Sequence, residues 1–538
     1  MKPARLPRWV RLRVHLVASL ITGLLLLVAW RAYGLQVSDA DRYRKLAQRQ
    51  HFKTIEVPGA RGPIFDVQGR ELAVSVDVDS VVADPRAVVD VSGTADALAR
   101  ALGLDAGDLE ARLASRKRFL WVARHVTQAQ AAAVRALDLP GVDLKQEPRR
   151  FYPGRSLACS VLGFADVDGR GADGVEASLD ELLSGKQERM DALRDARGRT
   201  LLDAPIAAEP GTAVTLTVDR SIQSFTERAL AEAVARNRAR AGTAIVLDVA
   251  TGEVLAMANV PNWDPNDPAT LAKRKARNRA VTDAYEVGSG MKVFSIAAAL
   301  DAGAVRPGTW IQVSNGELHI GAKLIRDSYH DTELDIGGIL KRSSNVGAVR
   351  VAMRLGPERL YAGLRAFGFG SPTDIELPGE RAGSLRPPER WGKLRLATIS
   401  FGYGITSTPL QVAAALAAIG NGGVYNEPRI VKRVRNADGE VVFEHVPAGR
   451  RVLKETTART VTRMLGHVFD KGRNGGTARD IDVPGYKAGG KTGTARKIDP
   501  DTGTYSEDRY LSSFIGLAPI DNPRIAVLVL VDEPRGED

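Results

Sequence analysis

The sequence has very little cysteine: Cys159 is the only one in 538 residues. A single thiol excludes an intramolecular disulfide and any metal site built from several cysteines. Internal repeats at a solenoid or propeller period are also missing, and glycine and proline are spread along the chain. The composition is that of an ordinary globular protein, and the length of the chain predicts two to four domains.

Acidic residues are too few to balance the basic ones, and the formal net charge is +11. Such an excess suits nucleic acid, anionic lipid or an acidic polymer. It is accompanied by no zinc-finger spacing, helix-turn-helix signature or basic-aromatic ladder. We therefore expect no nucleic-acid partner and interpret the excess as a solvated basic surface.

The N-terminus is basic and then apolar. Residues 1–13 carry five basic side chains and no acidic one, and an apolar run from Val14 reaches Leu35 if Arg31 snorkels to the membrane surface. Because positive charge marks the cytoplasmic side, we predict a cytoplasmic tail over 1–13 and a transmembrane anchor over 14–35, with the rest exported. A cleaved signal peptide is the alternative, but the length of the run and Arg31 favour an anchor.

The second half of the chain shows clear helix and strand patterns. Asp219 is predicted to cap a long helix that ends near Arg238. Residues 243–258 alternate as a hairpin, and residues 511–518 and 525–531 as two further strands. Because helices and strands are segregated along the chain, the pattern indicates an α+β fold.

A first chemical motif is Ser289-Gly290-Met291-Lys292, which opens an apolar helical run. A serine at a helix start lies at the positive end of the helix dipole, which favours an anionic nucleophile. The lysine three residues later lies on the same face, and a buried, neutral amine there can act as a general base. Taken alone, the pattern is better explained by an N-cap serine and a surface lysine.

A second motif is Ser343-Ser344-Asn345, directly after the predicted helix end at Arg342. A hydroxyl and an amide there can relay a proton and orient a base. Taken alone, a turn or a helix cap explains these residues.

A third motif is Lys491-Thr492-Gly493-Thr494, entered through Gly489-Gly490. Glycines permit close backbone approach by a ligand, and a lysine with two hydroxyls suits a substrate carboxylate. A phosphate loop is the alternative, but the G-x-x-x-x-G-K spacing is missing.

The order and spacing of the three motifs are far more specific than any one of them. S-x-x-K, then S-x-N 54 residues on, then K-T-G another 148 on, is the trio of β-lactamases and penicillin-binding proteins. The chain resembles class B penicillin-binding proteins, most of all the cell-division (septal) type. The resemblance covers nearly the whole chain and includes Arg61-Gly62, Arg149-Arg150-Phe151-Tyr152-Pro153, Gly174-Val175-Glu176, Arg277-Asn278-Arg279 and Ser400-Phe401-Gly402-Tyr403-Gly404.

The resemblance implies an α+β architecture in three parts. After the N-terminal membrane helix come an elongated mixed α/β pedestal of the dimerisation type over 36–210 and a transpeptidase domain over 211–538. The latter is built on an antiparallel five-stranded sheet flanked by helices. Family members continue into a further helix after the last strand, whereas this chain stops at Asp538. We therefore expect that helix to be lacking and Val527 and Val529 to be exposed.

The resemblance also implies roles for the motif residues. Ser289 attacks the penultimate D-Ala carbonyl of a stem peptide, and Lys292 is the base. Ser343 passes the proton to the leaving amine, Asn345 orients Lys292 and the substrate amide, and Lys491 keeps the local field positive. The substrate carboxylate is held by Thr492 and Thr494 beside Gly493, and the backbone N–H groups of Ser289 and Thr494 form an oxyanion hole.

The implied function is a peptidoglycan D,D-transpeptidase of septal wall synthesis that is acylated by β-lactams and needs no metal or cofactor. Implied partners are stem peptides ending in D-Ala-D-Ala, the membrane, a SEDS-type glycosyltransferase and other division proteins. The implied location is the bacterial inner membrane, with the catalytic domain in the periplasm. Alternatives are a role in elongation, a weakly active or inactive paralogue serving as scaffold or β-lactam sensor, and a serine β-lactamase. Against the last, no E-x-x-L-N loop lies between Asn345 and Lys491.

Overall fold

The fold is known from a computed structural model that describes residues 7–43, 52–57, 59–115, 117–186, 188–194, 200–201, 209–267, 270, 277–472, 475–499 and 501–535. The chain divides into two compact units. The first is Met1–Gly59 with Lys186–Glu209, and the second is Ala60–Gly185 with Pro210–Asp538.

The first unit contains a long apolar helix, Arg8–Tyr33, followed by the π-helical turn Gly34–Ser38. At 1.5 Å per residue the 26-residue helix spans about 39 Å, more than the roughly 30 Å of a bilayer core. It is therefore long and apolar enough to cross a membrane, in agreement with the predicted anchor. The unit also holds a three-stranded antiparallel sheet of Phe52–Val57, Glu188–Arg194 and Thr200–Leu201.

A seven-stranded mixed sheet in the second unit joins strands from both halves of the sequence. Ile64–Phe65 runs parallel to Ala213–Leu216, while the other pairs are antiparallel. The strands in spatial order are Val441–Glu444, Val431–Arg435, Ala213–Leu216, Ile64–Phe65, Glu71–Ala83 and Leu120–Ala123, with Val142–Phe151 also paired to Glu71–Ala83. The helices of this region are Val91–Leu102, Ala106–Leu113, Gln128–Ala136, Cys159–Leu162, Gly174–Ser178 and Asp180–Leu183.

The second sheet of this unit is the predicted five-stranded sheet, and every pairing in it is antiparallel. Its strands in spatial order are Val254–Val260, Ala241–Asp248, Ile525–Asp532, Tyr505–Ala518 and Gly489–Ile498. The flanking helices are Arg220–Arg236, Arg279–Thr282, Met291–Asp301, Ile336–Arg342, Asn345–Leu355, Pro357–Ala366, Lys393–Ser400, Pro409–Gly420 and Glu455–Gly466. The described part of the second unit also contains five two-stranded ribbons. They are Phe164–Ala165 with Gly171–Asp173, Tyr285–Glu286 with Thr406–Ser407, Trp310–Gln312 with Glu333–Asp335, Glu317–Ile320 with Lys323–Arg326, and Val424–Tyr425 with Arg450–Arg451.

The helix predicted after Asp219 is present, and the Asp219 carboxylate accepts hydrogen bonds from the backbone N–H groups of Ser221 and Ile222. This helix packs on the five-stranded sheet, where Val529 contacts the small apolar cluster of Leu230 and Val234. Val529 and Val527 are consequently half-buried, whereas the sequence led us to expect exposed side chains.

The main core lies between the five-stranded sheet and the helices, and its centre is the helix Met291–Asp301. Residues 291 to 299 of this helix are all buried. The Phe294 ring packs edge-on against Phe367 and Phe369, with centroid separations of 5.3 and 5.0 Å. Because close-packed aromatic neighbours restrict this helix, residues at its start are held in a fixed position.

Three of the non-catalytic sequence motifs meet in one buried ion cluster. Glu176, fully buried, accepts from Arg61 Nε at 2.5 Å and from Arg150 Nε at 2.7 Å. Arg61 also pairs with Asp180, and the Tyr152 hydroxyl lies 3.4 Å from Glu176 Oε1. The cluster therefore ties the segment before Ile64–Phe65 and the strand Val142–Phe151 to the short helices Gly174–Ser178 and Asp180–Leu183.

Replacing Glu176 by alanine is expected to destabilise the protein by about 3–5 kcal/mol, because the buried guanidinium of Arg150 loses its carboxylate and that of Arg61 loses one of its two. Denaturant unfolding followed by fluorescence measures the loss. The matched control is Glu181→Ala, which removes an exposed glutamate from the adjacent helix. Equal unfolding midpoints for the two variants would show that the cluster does not stabilise the fold.

Candidate active site

Ser289 lies in a single 3₁₀ turn, Gly288–Gly290, which leads directly into the buried helix Met291–Asp301. The turn is crossed by the segment around Gly402. Gly288 N–H donates to Gly402 O at 3.2 Å, and a Cβ added to Gly402 would lie 2.1 Å from Gly288 O. Gly402 has φ +92° and Gly288 φ +58°, so glycine serves both positions by backbone conformation as well as by space. This contact explains the presence of the Ser400–Gly404 motif beside the serine.

Lys292 is fully buried one helical turn after Ser289. Its Nζ lies 2.9 Å from Ser289 Oγ, 2.6 Å from Ser343 O and 3.1 Å from Ser343 Oγ. A carbonyl oxygen can only accept, so Ser343 O takes an N–H from the amine. When the amine is neutral, its lone pair is left for a hydroxyl proton.

The charge state of Lys292 is set by its surroundings. Burial, reinforced by the positive charge of Lys491, lowers the pKa of the Lys292 amine well below its ordinary value, while Asp327 acts in the opposite direction. Burial disfavours the charged form, so the neutral amine is favoured here relative to a lysine in water. A neutral amine at hydrogen-bonding distance from a serine hydroxyl is the arrangement that general-base activation requires.

The S-x-N motif forms the sharp connection between two helices. Ser343 ends the helix Ile336–Arg342 in a left-handed conformation, φ +58°, and Ser344 caps the next helix by accepting from Gly347 N at 2.8 Å. This geometry directs both the carbonyl and the hydroxyl of Ser343 to Lys292. Asn345 Nδ2 instead donates to the carbonyl of Arg326 at 2.7 Å.

The K-T-G motif lies on Gly489–Ile498, an edge strand of the five-stranded sheet. A Cβ on Gly493 would lie 2.4 Å from Ser513 Oγ and 3.3 Å from Val287 O, so glycine lets this strand approach the nucleophile turn. Thr494 is exposed, and its carbonyl packs against Gly288. The structure thus brings the third motif alongside the first.

Lys491 is fully buried, and burial lowers the pKa of its amine to about 7. Its Nζ lies 2.8 Å from the carbonyl of Thr492 and 3.3 Å from Thr492 Oγ1. Thr492 Oγ1 in turn donates to Thr477 Oγ1 at 2.9 Å. The Lys491 amine therefore lies beside the Thr492 hydroxyl, and both belong to the motif for which the sequence predicted a carboxylate site.

Several residues at the site were missed by the sequence reasoning. Glu286 Oε1 accepts from Gly404 N at 2.7 Å and from the Tyr505 hydroxyl at 3.2 Å, and burial raises the pKa of this carboxyl. The Tyr403 ring packs edge-on against Tyr505 at 5.3 Å. Asp327, which contacts the S-x-N turn, was also missed. Glu286, Tyr505 and Asp327 carry no motif or periodic signal. Tyr403 belongs to the Ser400–Gly404 motif, but the sequence assigned it no role.

Comparison with known proteins gives matches along almost the whole chain. Residues 242–538 match the family described as penicillin binding protein transpeptidase domain, and residues 56–216 match the penicillin-binding protein dimerisation domain. The peptidoglycan D,D-transpeptidase FtsI of Escherichia coli K12 is 36% identical over 94% of this chain and 84% of its own length. The probable peptidoglycan D,D-transpeptidase PenA of Neisseria meningitidis is 35% identical over 96% of this chain and 87% of its own length. Among solved structures, penicillin binding protein 3 of Mycobacterium tuberculosis complexed with aztreonam superimposes with a TM-score of 0.71 at 31% identity, over 90% of this chain and 92% of that chain.

Proposed function

The chain belongs to the penicillin-binding protein transpeptidase family, and we propose that it is a septal-type peptidoglycan D,D-transpeptidase that cross-links stem peptides through an acyl-enzyme on Ser289. The observation that carries this proposal is the 2.9 Å separation between Ser289 Oγ and the buried Lys292 amine. The septal-type relatives and the penicillin-binding protein 3 complex with a β-lactam support it.

Acylation begins when Ser289 Oγ attacks the carbonyl carbon of the penultimate D-Ala while Lys292 takes the hydroxyl proton. The tetrahedral oxyanion is stabilised by the backbone N–H groups of Ser289 and Thr494, and oxyanion donors of this kind lower a barrier by about 3–4 kcal/mol each. When the C–N bond breaks, Ser343 passes the proton from Lys292 to the departing D-Ala amine. The short contacts of Ser343 with Lys292 Nζ support this path.

The substrate is proposed to lie as an extended peptide along Gly489–Ile498, because an edge strand offers backbone groups for pairing. Its terminal carboxylate is then held by the hydroxyls of Thr492 and Thr494, with Lys491 providing the positive field. Gly493 keeps the strand close to the nucleophile, and Asn345 orients the substrate amide. An amine from a second stem peptide resolves the ester and completes the cross-link.

The helix Arg8–Tyr33 is proposed to anchor the chain in the bacterial inner membrane as a single pass. The excess of basic residues before residue 14 supports a cytoplasmic N-terminus and a periplasmic catalytic domain. We keep the pedestal at 36–210 and the transpeptidase domain at 211–538 as proposed boundaries. Family resemblance supports a SEDS-type glycosyltransferase and other division proteins as partners.

The test is turnover by the full-length chain in detergent, using a D-Ala-D-Ala stem peptide together with a D-amino acid as acceptor. We expect exchange of the terminal D-Ala for the acceptor, and pretreatment with aztreonam should abolish it. Acylation by penicillin without any peptide exchange would contradict a transpeptidase and favour a sensor or scaffold. Rapid release of hydrolysed penicillin would favour a β-lactamase.

A further inference from the structure

Asp327 lies outside the three motifs but contacts the S-x-N turn at three points. Its Oδ2 accepts from the Ser344 hydroxyl at 2.5 Å. Its Oδ1 accepts from the backbone N–H of Asn345 at 2.5 Å and from that of Val346 at 3.0 Å. One carboxylate therefore satisfies the first donors of the helix Asn345–Leu355, where a negative charge is also favoured by the helix dipole.

Asp327 directly follows the strand Lys323–Arg326 and is fixed by the backbone on both sides of this ribbon. Its backbone N–H donates to Gly316 O at 2.8 Å, and the carbonyl of the preceding residue, Arg326, accepts from Asn345 Nδ2 at 2.7 Å. Two consecutive residues thus hold Ser344 and Asn345, which directly follow Ser343, from one side.

The turn needs such support because of its backbone conformation. Ser343 has φ +58°, a left-handed conformation that is unfavourable for a residue with a side chain and persists only where its surroundings enforce it. That same conformation places Ser343 O and Oγ on Lys292 Nζ. Loss of the Asp327 contacts would let Ser343 relax away from the amine.

The Asp327 carboxylate also reaches Lys292 electrostatically. The charged groups that act on the amine are Lys491, from the strand Gly489–Ile498, and Asp327, which have opposite effects on its pKa. The cations at the end of the neighbouring helix are neutralised elsewhere, since Lys341 pairs with Asp470 and Arg342 pairs with Asp331.

We propose that Asp327 is a positioning residue for acylation, which holds the Ser343–Asn345 turn against Lys292 and provides the negative charge that balances Lys491 at this amine. The proposal rests on the proposed function, since it takes Ser289 as nucleophile and Lys292 as base. It assigns a role in the reaction to a residue that is separated by 16 positions from the nearest motif.

The test measures the rate constant of acylation by a fluorescent penicillin against pH, for the full-length chain and for Asp327→Asn. Asparagine keeps an oxygen for the two backbone donors and can reverse its bond with Ser344, so the variant removes mainly the charge. The plateau rate is expected to fall about tenfold. The acidic limb is expected to move to lower pH by roughly half a unit or more, because loss of a negative charge lowers the pKa of Lys292.

The matched control is Glu333→Gln, which removes an exposed carboxylate six residues along that contacts Gln312 rather than the turn and leaves Arg342 paired with Asp331. We expect neither change in this variant. The proposal would be overturned if the acylation rate constant of Asp327→Asn were unchanged, or if it fell by the same factor at every pH. A residue that only supports the structure does not shift the acidic limb of the pH profile.

Asp327→Ala, which leaves the turn's donors without an acceptor, is expected to lose activity about a hundredfold. If that variant fails to fold, the asparagine profile still decides. If the wild-type chain is acylated and Asp327→Asn shows the same rate constants and the same pH profile, this inference alone is overturned. A wild-type chain that is not acylated overturns the proposed function, and this inference with it.

Discussion

Replacing Ser289 by alanine is expected to abolish covalent labelling by a fluorescent penicillin, with a loss of at least about 10⁴-fold in the acylation rate constant. The variant lacks the Ser289 hydroxyl oxygen, which lies 2.9 Å from Lys292 Nζ at the start of the helix Met291–Asp301. Folding should be unaffected, because the Ser289 side chain makes no capping hydrogen bond to this helix. Gel fluorescence and the melting temperature report the two effects separately.

The matched control is Ser295→Ala, in the same helix. Ser295 is buried, and its hydroxyl has no hydrogen-bond partner, so alanine is expected to leave both labelling and melting temperature nearly unchanged. A covalent band that persists in Ser289→Ala would place the nucleophile elsewhere. Loss of the band together with a large drop in melting temperature would mean that the substitution acts through the fold.

The sequence predicted best what depends on local spacing. The proximity of Ser289 and Lys292 follows from three residues of helix, and the 511–518 and 525–531 strands follow from short apolar runs on either side of a turn. The contact between Ser343 and Lys292 depends on the left-handed backbone conformation at Ser343. A serine in the sequence does not predict that conformation. Only the family resemblance linked these motifs before the structure did.

The sequence could not predict contacts made by isolated charged residues. Asp327 resembles any other aspartate in a polar loop until the structure places it at the start of the helix Asn345–Leu355. Glu176 and Arg150 carry no sign of which partner they meet, since their pairing requires two distant segments to fold together. The complete burial of Lys491 could not be predicted from the sequence either, because lysines are seldom fully buried.

Replacing Lys292 by methionine is expected to lower the acylation rate constant by about 10³-fold or more, the range lost when a general base is removed. Methionine has a similar length and suits the fully buried position. Unlike most substitutions in a core, this one should not lower the melting temperature, because it removes an amine that burial disfavours in its charged form.

The pH dependence of stability gives this prediction its second readout. Burial lowers the pKa of Lys292 in the folded protein, whereas a lysine in the unfolded chain titrates near 10.5. Between those two values the unfolded chain binds more protons than the folded one, so the free energy of unfolding rises with pH through that window. Lys491, with its pKa lowered to about 7, contributes in the same direction from about pH 7 upward.

Melting temperature measured against pH should therefore rise more steeply in the wild type than in Lys292→Met, which retains only the contribution of Lys491. The acylation rate of the wild type should fall on acidification, as Lys292 becomes protonated. The control is Lys487→Met, which removes an exposed lysine just before the strand Gly489–Ile498. It should change neither the pH dependence of the melting temperature nor that of the acylation rate. If Lys292→Met kept its acylation rate, or melted at a lower temperature with an unchanged pH slope, the buried amine would be a structural contact and not the base. The expected pattern, a variant at least as stable but nearly inactive, would show that the site keeps a destabilising buried amine because the reaction requires it.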